Sequence, residues 1–281
     1  MLFWGASFLS IKVAVQVFPA MTLGMFRFAL AVIMLLFIKA VLEKKSGVRE
    51  KLRVKDLPSL IGASITGVSL YFFFENNGVA RVTVSEASLI VGAIPVFSML
   101  AERIFLHRKM RPQEIGGAFI SIAGIALICG ISLSLSGSVS GYLFMSAAVI
   151  CWTSYNFITM ALTSKRSQIY IVFWQSLFGF LGFAPFAIAE MPHWGNPTLP
   201  VIVHIIFLGT CCSALGYLFY AKSLEVLGVG ISSIFINFIP VVTVIAGFLF
   251  MGDRLTLLQW AGAAFVVSGI TLAIWRKREP A

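Results

Sequence analysis

Two stretches decide the reading. One is ASLIVGAIPVFSMLAERIFLHRKMRPQEIGGAFISIAGI, residues 87–125; the other is SSIFINFIPVVTVIAGFLFMGDRLTLLQWAGAAFVVSGI, residues 232–270. Each runs apolar residues into a Pro-Val pair, at Pro95 and Pro240. Each then passes a short polar connection and resumes with Gln-x-x-Gly, at Gln113–Gly116 and Gln259–Gly262. The stretches lie about 145 residues apart. Working outward, Trp4 pairs with Trp152 and Tyr71 with Tyr217 at almost the same separation. A repeat of this length makes the chain two copies of one unit, 1–132 and 142–281, joined by the Ser/Gly-rich stretch 133–141.

Composition sets the environment of that unit. Of 281 residues, 59% are hydrophobic and only 11% charged, with a mean hydropathy of +0.97. Soluble domains carry roughly 25% charge, so a water-soluble enzyme is excluded. One membrane helix needs about 20 apolar residues. Ten segments meet this: 1–18, 21–42, 57–79, 82–104, 112–132, 139–162, 168–189, 200–222, 229–251 and 256–275. Their long continuous runs lack the alternation of a membrane barrel. The expected fold is an all-α polytopic membrane protein of ten helices. Each half has five, an odd number, so the second half enters the membrane inverted relative to the first. Inverted repeats are typical of secondary transporters, because two opposed halves can exchange conformations around a central site. Channels share the architecture less often.

Charge gives the orientation. Lys39, Lys44, Lys45, Arg49, Lys51, Arg53 and Lys55 follow the second segment. Arg103, Arg108, Lys109 and Arg111 follow the fourth, and Arg276, Lys277 and Arg278 close the chain. Only Arg81 and Arg254 fall on the opposite side. By the positive-inside rule both termini are cytoplasmic, in the cell (plasma or inner) membrane. The net charge of +10 is therefore a topology label and not a nucleic-acid footprint. Cys129, Cys151, Cys211 and Cys212 show no metal-ligand spacing. The dispersed His107, His193 and His204 make no catalytic constellation, and no P-loop occurs. Neither cofactor nor metal is expected. No cleavable signal peptide is evident, and a short native segment before Met1 is an open question.

The segments WGASFLSIK (4–12), FRF (26–28), ALGYLFYAKSLEVLG (214–228) and the doubled 87–125 and 232–270 stretches resemble the EamA-type transporters of the drug/metabolite transporter superfamily. The resemblance covers nearly the whole chain. It implies ten helices in two inverted repeats and a role in moving amino acids or other small metabolites. The family usually places an acidic residue after the fourth and the ninth helix. Asp253 matches the second position, whereas Arg108 stands at the first.

Polar residues within spans are costly and therefore few. Lys12 and Arg27 are intramembrane cations suited to a carboxylate, although Arg27 also has the reach to snorkel to headgroups. Gln175 occupies the place of Arg27 in the second half. Glu75, Arg81 and Glu86 cluster near one end of the third and fourth segments. Glu86 is either a protonatable coupling group or the partner of Arg81. Trp4, Tyr71, Trp152, Tyr155, Asn156, Trp174, Tyr217 and Asn237 are cavity-lining candidates, against a reading as interfacial anchors. Pro95 and Pro240 are expected mid-helix, as helix breaks. The expected function is secondary export of small polar or zwitterionic metabolites such as amino acids, with proton coupling or exchange, by a monomer or homodimer. The alternatives are a multidrug or organic-cation exporter and, last, a membrane protein that does not transport.

Overall fold

The computed structural model describes residues 1–79, 81–82, 87, 90–129, 138–251 and 256–275. The side chains of Phe8, Lys12, Val79, Phe250 and Met251 also lie outside the description. Every element among the described residues is helical. In chain order these are α1 (Leu2–Ala14), α2 (Ala20–Ser46), α3 (Leu57–Ser64), α4 (Tyr71–Val79), α5 (Ile94–Phe105) and α6 (Pro112–Cys129). The second half supplies α7 (Val139–Thr163), α8 (Gln168–Glu190), α9 (Leu199–Phe207), α10 (Gly216–Ile234), α11 (Phe238–Ala246) and α12 (Leu257–Ile274). Side-chain caps start several of them: Ser138 on α7, Ser167 on α8 and a Thr256–Gln259 capping box on α12.

Seven helical stretches among the described residues are long and apolar enough to cross a membrane. The sequence led us to expect ten, and three local features account for the difference. The first helix ends at Ala14, short of residue 18 and of a full span. In the fourth segment residues 83–86 and 88–89 lie outside the description, and a turn at Ala93 separates the helical residues 90–92 from α5. The eighth and ninth segments form one 51-residue helical run, Leu199–Leu249. Straight, it would be about 77 Å long, more than twice the hydrocarbon thickness. It is not straight, because Gly228 leaves helical geometry at φ 78°, ψ 175°.

The prolines lie close to local breaks in the helices. Pro95 sits in the first turn of α5, and Pro240 in the first turn of α11 after the 3₁₀ turn Phe235–Asn237. There the missing N–H is one that a helix start leaves unpaired anyway. Each follows a local break in a longer helical run, the turn at Ala93 and the 3₁₀ turn Phe235–Asn237.

Two π turns punctuate corresponding places in the halves. Ile65–Leu70 joins α3 to α4, and Leu208–Leu215 joins α9 to α10. The closest helix contact is between α6 and α12. A Cβ on Gly117 would lie 2.4 Å from the Gly269 carbonyl, and one on Gly124 would lie 2.6 Å from that of Gly262. An early residue of α6 meets a late residue of α12 and the reverse, so the helices run antiparallel. Small residues give this approach, since apolar side chains have no reason to prefer each other over lipid.

Gly124→Leu should therefore lower the thermal unfolding midpoint of the detergent-solubilised protein by several degrees, since overpacking costs about 1–3 kcal/mol. Gly116→Ala, whose Cβ would meet only Leu272 at 3.7 Å, should leave the midpoint unchanged or raise it.

Candidate functional site

Six aromatic rings meet in the interior. They are Trp4 of α1, Tyr71 of α4, Trp152 and Tyr155 of α7, and Tyr217 and Tyr220 of α10. Neighbouring ring centroids lie 5.0–6.2 Å apart, mostly edge-to-face or tilted. Such spacing suits the ring quadrupoles. Trp174, expected among these residues, instead stacks on Phe178 at 5.9 Å.

The π turns hold the rings in place. Trp4 Nε1 donates to the Cys212 carbonyl at 2.9 Å, and the Tyr217 hydroxyl donates to the Gly67 carbonyl at 3.3 Å. Both acceptors lie inside π turns, where a shifted ladder leaves carbonyls in need of other donors. Gly67 lets Tyr155 lie on the backbone, since a Cβ there would be 2.1 Å from the ring.

Several polar tips at this centre have no hydrogen bond of good geometry to the described residues: Trp152 Nε1, Tyr155 OH, Asn156 Oδ1 and Tyr220 OH. All four residues are at least nine-tenths buried. The Tyr220 hydroxyl points towards Trp152, Asn156 and Ser233. Asn156 Nδ2 donates to Ser233 Oγ at 3.4 Å, and Ser233 donates to Ser98 at 2.9 Å. Further from the rings, Asn237 Nδ2 donates to Ser121 at 2.7 Å and Gln175 Nε2 to Thr159 at 3.0 Å. The carbonyl oxygens of both amides stay unpartnered. These polar tips face one another in the interior, with Tyr155 turned towards Thr159 as Tyr220 is towards its neighbours.

Charge flanks the rings on one side. Arg27 is 6% exposed and points inward, against the snorkelling alternative. Its Nε donates to Ser213 Oγ at 3.3 Å and its guanidinium lies 5.3 Å over the Phe72 ring. The Tyr71 hydroxyl donates to Glu75 Oε1 at 2.8 Å. Arg27 is near enough to act on the Glu75 charge. Among the described residues, however, no basic group lies within 4.0 Å of Glu75. A cation and an anion thus stand close but unpaired.

Of the expected site residues, Tyr71, Tyr155, Asn156 and Tyr217 come together, with Arg27 beside them. Gln175 and Asn237 lie in separate polar pairs. Glu86 and the Lys12 side chain lie outside the described residues. Arg81 bonds the Asn77 carbonyl at 2.7 Å and its side-chain oxygen at 3.0 Å. Tyr220 and Glu75 were not singled out as site residues, although helical spacing marks both. Tyr220 is three residues from Tyr217 and Glu75 four from Tyr71, on shared faces.

A second polar constellation lies in the connection between α5 and α6. Arg108 bridges two buried carboxylates, bonding Glu102 and, at 2.8 Å, Glu114. Arg111 also binds Glu114, at 2.9 Å, and reaches the Ala273 carbonyl at 3.5 Å. The other oxygen of Glu102 accepts from Gly230 N at 3.0 Å, just beyond the break at Gly228. Burial opposes the Arg108 charge, but hydrogen bonds and attraction from Glu102 and Glu114 outweigh it and raise its pKa. His107 beside it takes φ 52°, a left-handed conformation unusual for a side chain other than Gly, Asn or Asp. The basic residue at this position thus has a structural partner set of its own. A third cluster ties two other connections: Arg166 and Tyr170 both donate to Asp56 Oδ2, at 2.7 and 2.9 Å. This hydrogen bond to Asp56, against burial, raises the pKa of Arg166.

An all-helical chain with several membrane-crossing helices around a buried polar-aromatic centre is a multi-pass membrane carrier in form. The chain belongs to the EamA-like transporter family, whose model matches residues 1–130 and again 139–275. An uncharacterised transporter of Archaeoglobus fulgidus is 28% identical, over 98% of this chain and 96% of its own length. A probable terminal-alkyne amino-acid exporter of Streptantibioticus cattleyicolor is 25% identical, over 98% and 92%. A solved crystal structure superposes with a TM-score of 0.77 over 97% of this chain and 93% of that one. At 16% identity it shows the shared fold alone.

Replacing Arg108 by Ala should destabilise the folded protein by about 2–3 kcal/mol. That is below the 3–5 of a fully buried pair, because Arg108 is one-third exposed. His107→Gly should raise stability by about 1 kcal/mol by relieving the left-handed backbone. Thermal unfolding in detergent reads both.

Proposed function

We propose that this protein is a secondary transporter that exports small zwitterionic metabolites, amino acids in particular, by alternating access. The reading rests chiefly on the buried aromatic centre, with its unpartnered polar tips and the unpaired Arg27 and Glu75 at its flank. An amino acid has the complementary set: a carboxylate for Arg27, an ammonium for Glu75, and a side chain to lie among the rings. Arg offers a carboxylate two parallel hydrogen bonds. Trp152, Tyr155, Asn156 and Tyr220 then supply donors and acceptors that a departing ligand leaves to water.

The topology that serves this function is ten crossings in two inverted five-helix repeats, 1–132 and 142–281, joined by 133–141. Three observations support it. The family model matches the chain twice. At an offset of 145 Gly117 corresponds to Gly262 and Gly124 to Gly269, so the contacts Gly117–Gly269 and Gly124–Gly262 exchange with each other, as expected about a pseudo-two-fold axis. The basic loops favour a cytoplasmic position for both termini. Alternating access around such an axis needs only the two halves to exchange shapes. Energy comes from proton movement or exchange. The amino-acid reading also draws on the name of the Streptantibioticus relative. An organic cation fits less well, because it would meet Arg27 as well as Glu75.

The test is counterflow. Proteoliposomes loaded with a mixture of the proteinogenic L-amino acids should accumulate at least one of them, radiolabelled, from outside. Arg27→Gln should slow this about tenfold or more, since a charge-assisted hydrogen bond contributes about 1.5–3 kcal/mol. No counterflow of any amino acid would overturn the reading.

A further inference from the structure

We infer that Glu75 is the group that binds the coupling proton, and that it does so in competition with the cationic end of the substrate. The inference rests on the transport reading above and names the residue that performs its energetic step.

The geometry around Glu75 is specific. It lies in α4, within the apolar helical stretch 54–78. It is partly exposed and lies within a turn of the end of that stretch. Oε1 accepts from the Tyr71 hydroxyl, and the Tyr71 ring lies 5.0 Å from Trp152. The carboxylate is thus one hydrogen bond from the aromatic centre. The groups that face it are few. Arg27 acts on it from α2, and Tyr217 from α10. Tyr71 does so from its own helix, with Arg81 further along and bonded to Asn77. From α7, Phe144, Met145 and Trp152 lie against α4, and none of the three titrates.

An intramembrane carboxylate without a direct counter-ion is expensive, and such groups mark ion and proton pathways. Every other buried carboxylate described here has a committed cation or donor set. Glu102 and Glu114 hold Arg108 and Arg111, and Asp56 holds Arg166. Glu75 has one tyrosine hydroxyl and a cation at a distance. A group held this loosely can exchange its partner.

The step balances without a further reactant. Ionised Glu75 holds the substrate ammonium while Arg27 holds the carboxylate. When the site opens to the side of higher acidity, a water-borne proton takes the carboxylate oxygen and the ammonium leaves with its shell of water. No covalent bond other than O–H forms. Once the site faces the other side, the proton returns to water and the next substrate enters. Because one carboxylate serves both cations, proton and substrate move in opposite directions.

The first experiment needs no substrate. Tryptophan fluorescence of the full chain in detergent should titrate between about pH 4 and about pH 9, the range open to carboxylates in such settings. Glu75→Gln should abolish the transition, Glu75→Asp should keep it displaced, and Tyr71→Phe should displace it with the charge intact. A Glu75→Gln protein that titrates like the wild type, or a wild type without a transition, overturns the proposal. The second uses the amino-acid mixture as probe in liposomes with a trapped pH dye. The wild type should move protons against amino-acid efflux. Glu75→Gln should slow counterflow, having lost the partner of the substrate ammonium, and the flux that remains should carry no pH change. If Glu75→Gln remains coupled, the proposal fails while the transport reading stands. If no protein shows counterflow, the transport reading fails and the fluorescence titration alone decides whether Glu75 takes the proton.

Discussion

A polar group in hydrocarbon has no water to fall back on, and this constraint shapes the whole interior. Each backbone carbonyl that leaves the regular ladder must be met by another donor. The π turns at Ile65–Leu70 and Leu208–Leu215 leave the regular ladder in both halves. The donors that meet them are the indole of Trp4 and the phenol of Tyr217. A backbone irregularity and an aromatic side chain therefore become one unit. The irregularity fixes where the ring lies, and the ring makes the irregularity tolerable. The rest of the centre assembles on these two anchors, with Trp152 and Tyr155 packed against them and Tyr220 one turn along from Tyr217.

Much of this was legible in the sequence, for physical reasons. A helix that crosses lipid must be apolar over its full length, so the class of the chain is written in its composition. A duplicated unit keeps residues such as Trp4, Tyr71 and Pro95 in step with Trp152, Tyr217 and Pro240. What the apolar runs could not convey is where a helix stops inside the membrane. The break at Gly228 and the turn at Ala93 depend on local dihedral angles, and one glycine among 24 carries no mark of its conformation. The same holds for partners. Glu102 and Glu114 border a polar connection in the sequence, where nothing marks them for burial. They are buried because the chain turns at His107 and brings Arg108 back between them. Arg27 and Glu75 were visible as polar residues, but their nearness without contact is a property of three dimensions.

The two halves correspond in position more than in chemistry. Arg27 in the first half corresponds to the uncharged Gln175 in the second, which bonds Thr159 away from the rings. Trp4 donates to a backbone carbonyl, whereas the corresponding Trp152 keeps its N–H unspent. Glu102 corresponds to Gly247 and Arg108 to Asp253, so the carboxylate that caps Gly230 has no counterpart in the second copy. The two stretches matched by the family model therefore bring unlike polar groups to the centre. A ligand with two unlike ends can then be held in one orientation.

The glycine seam between α6 and α12 has a mechanical consequence. Where side chains interleave, one helix can slide over another by changing rotamers, much as gear teeth advance. At Gly117, Gly124, Gly262 and Gly269 there are no teeth, and the two backbones lie carbonyl against Cα. Any shift along the seam drives a neighbouring Cβ into a main chain. The pair behaves as a keel: it can tilt as one body but cannot shear, so bending falls to the glycine break and the π turns in the other helices.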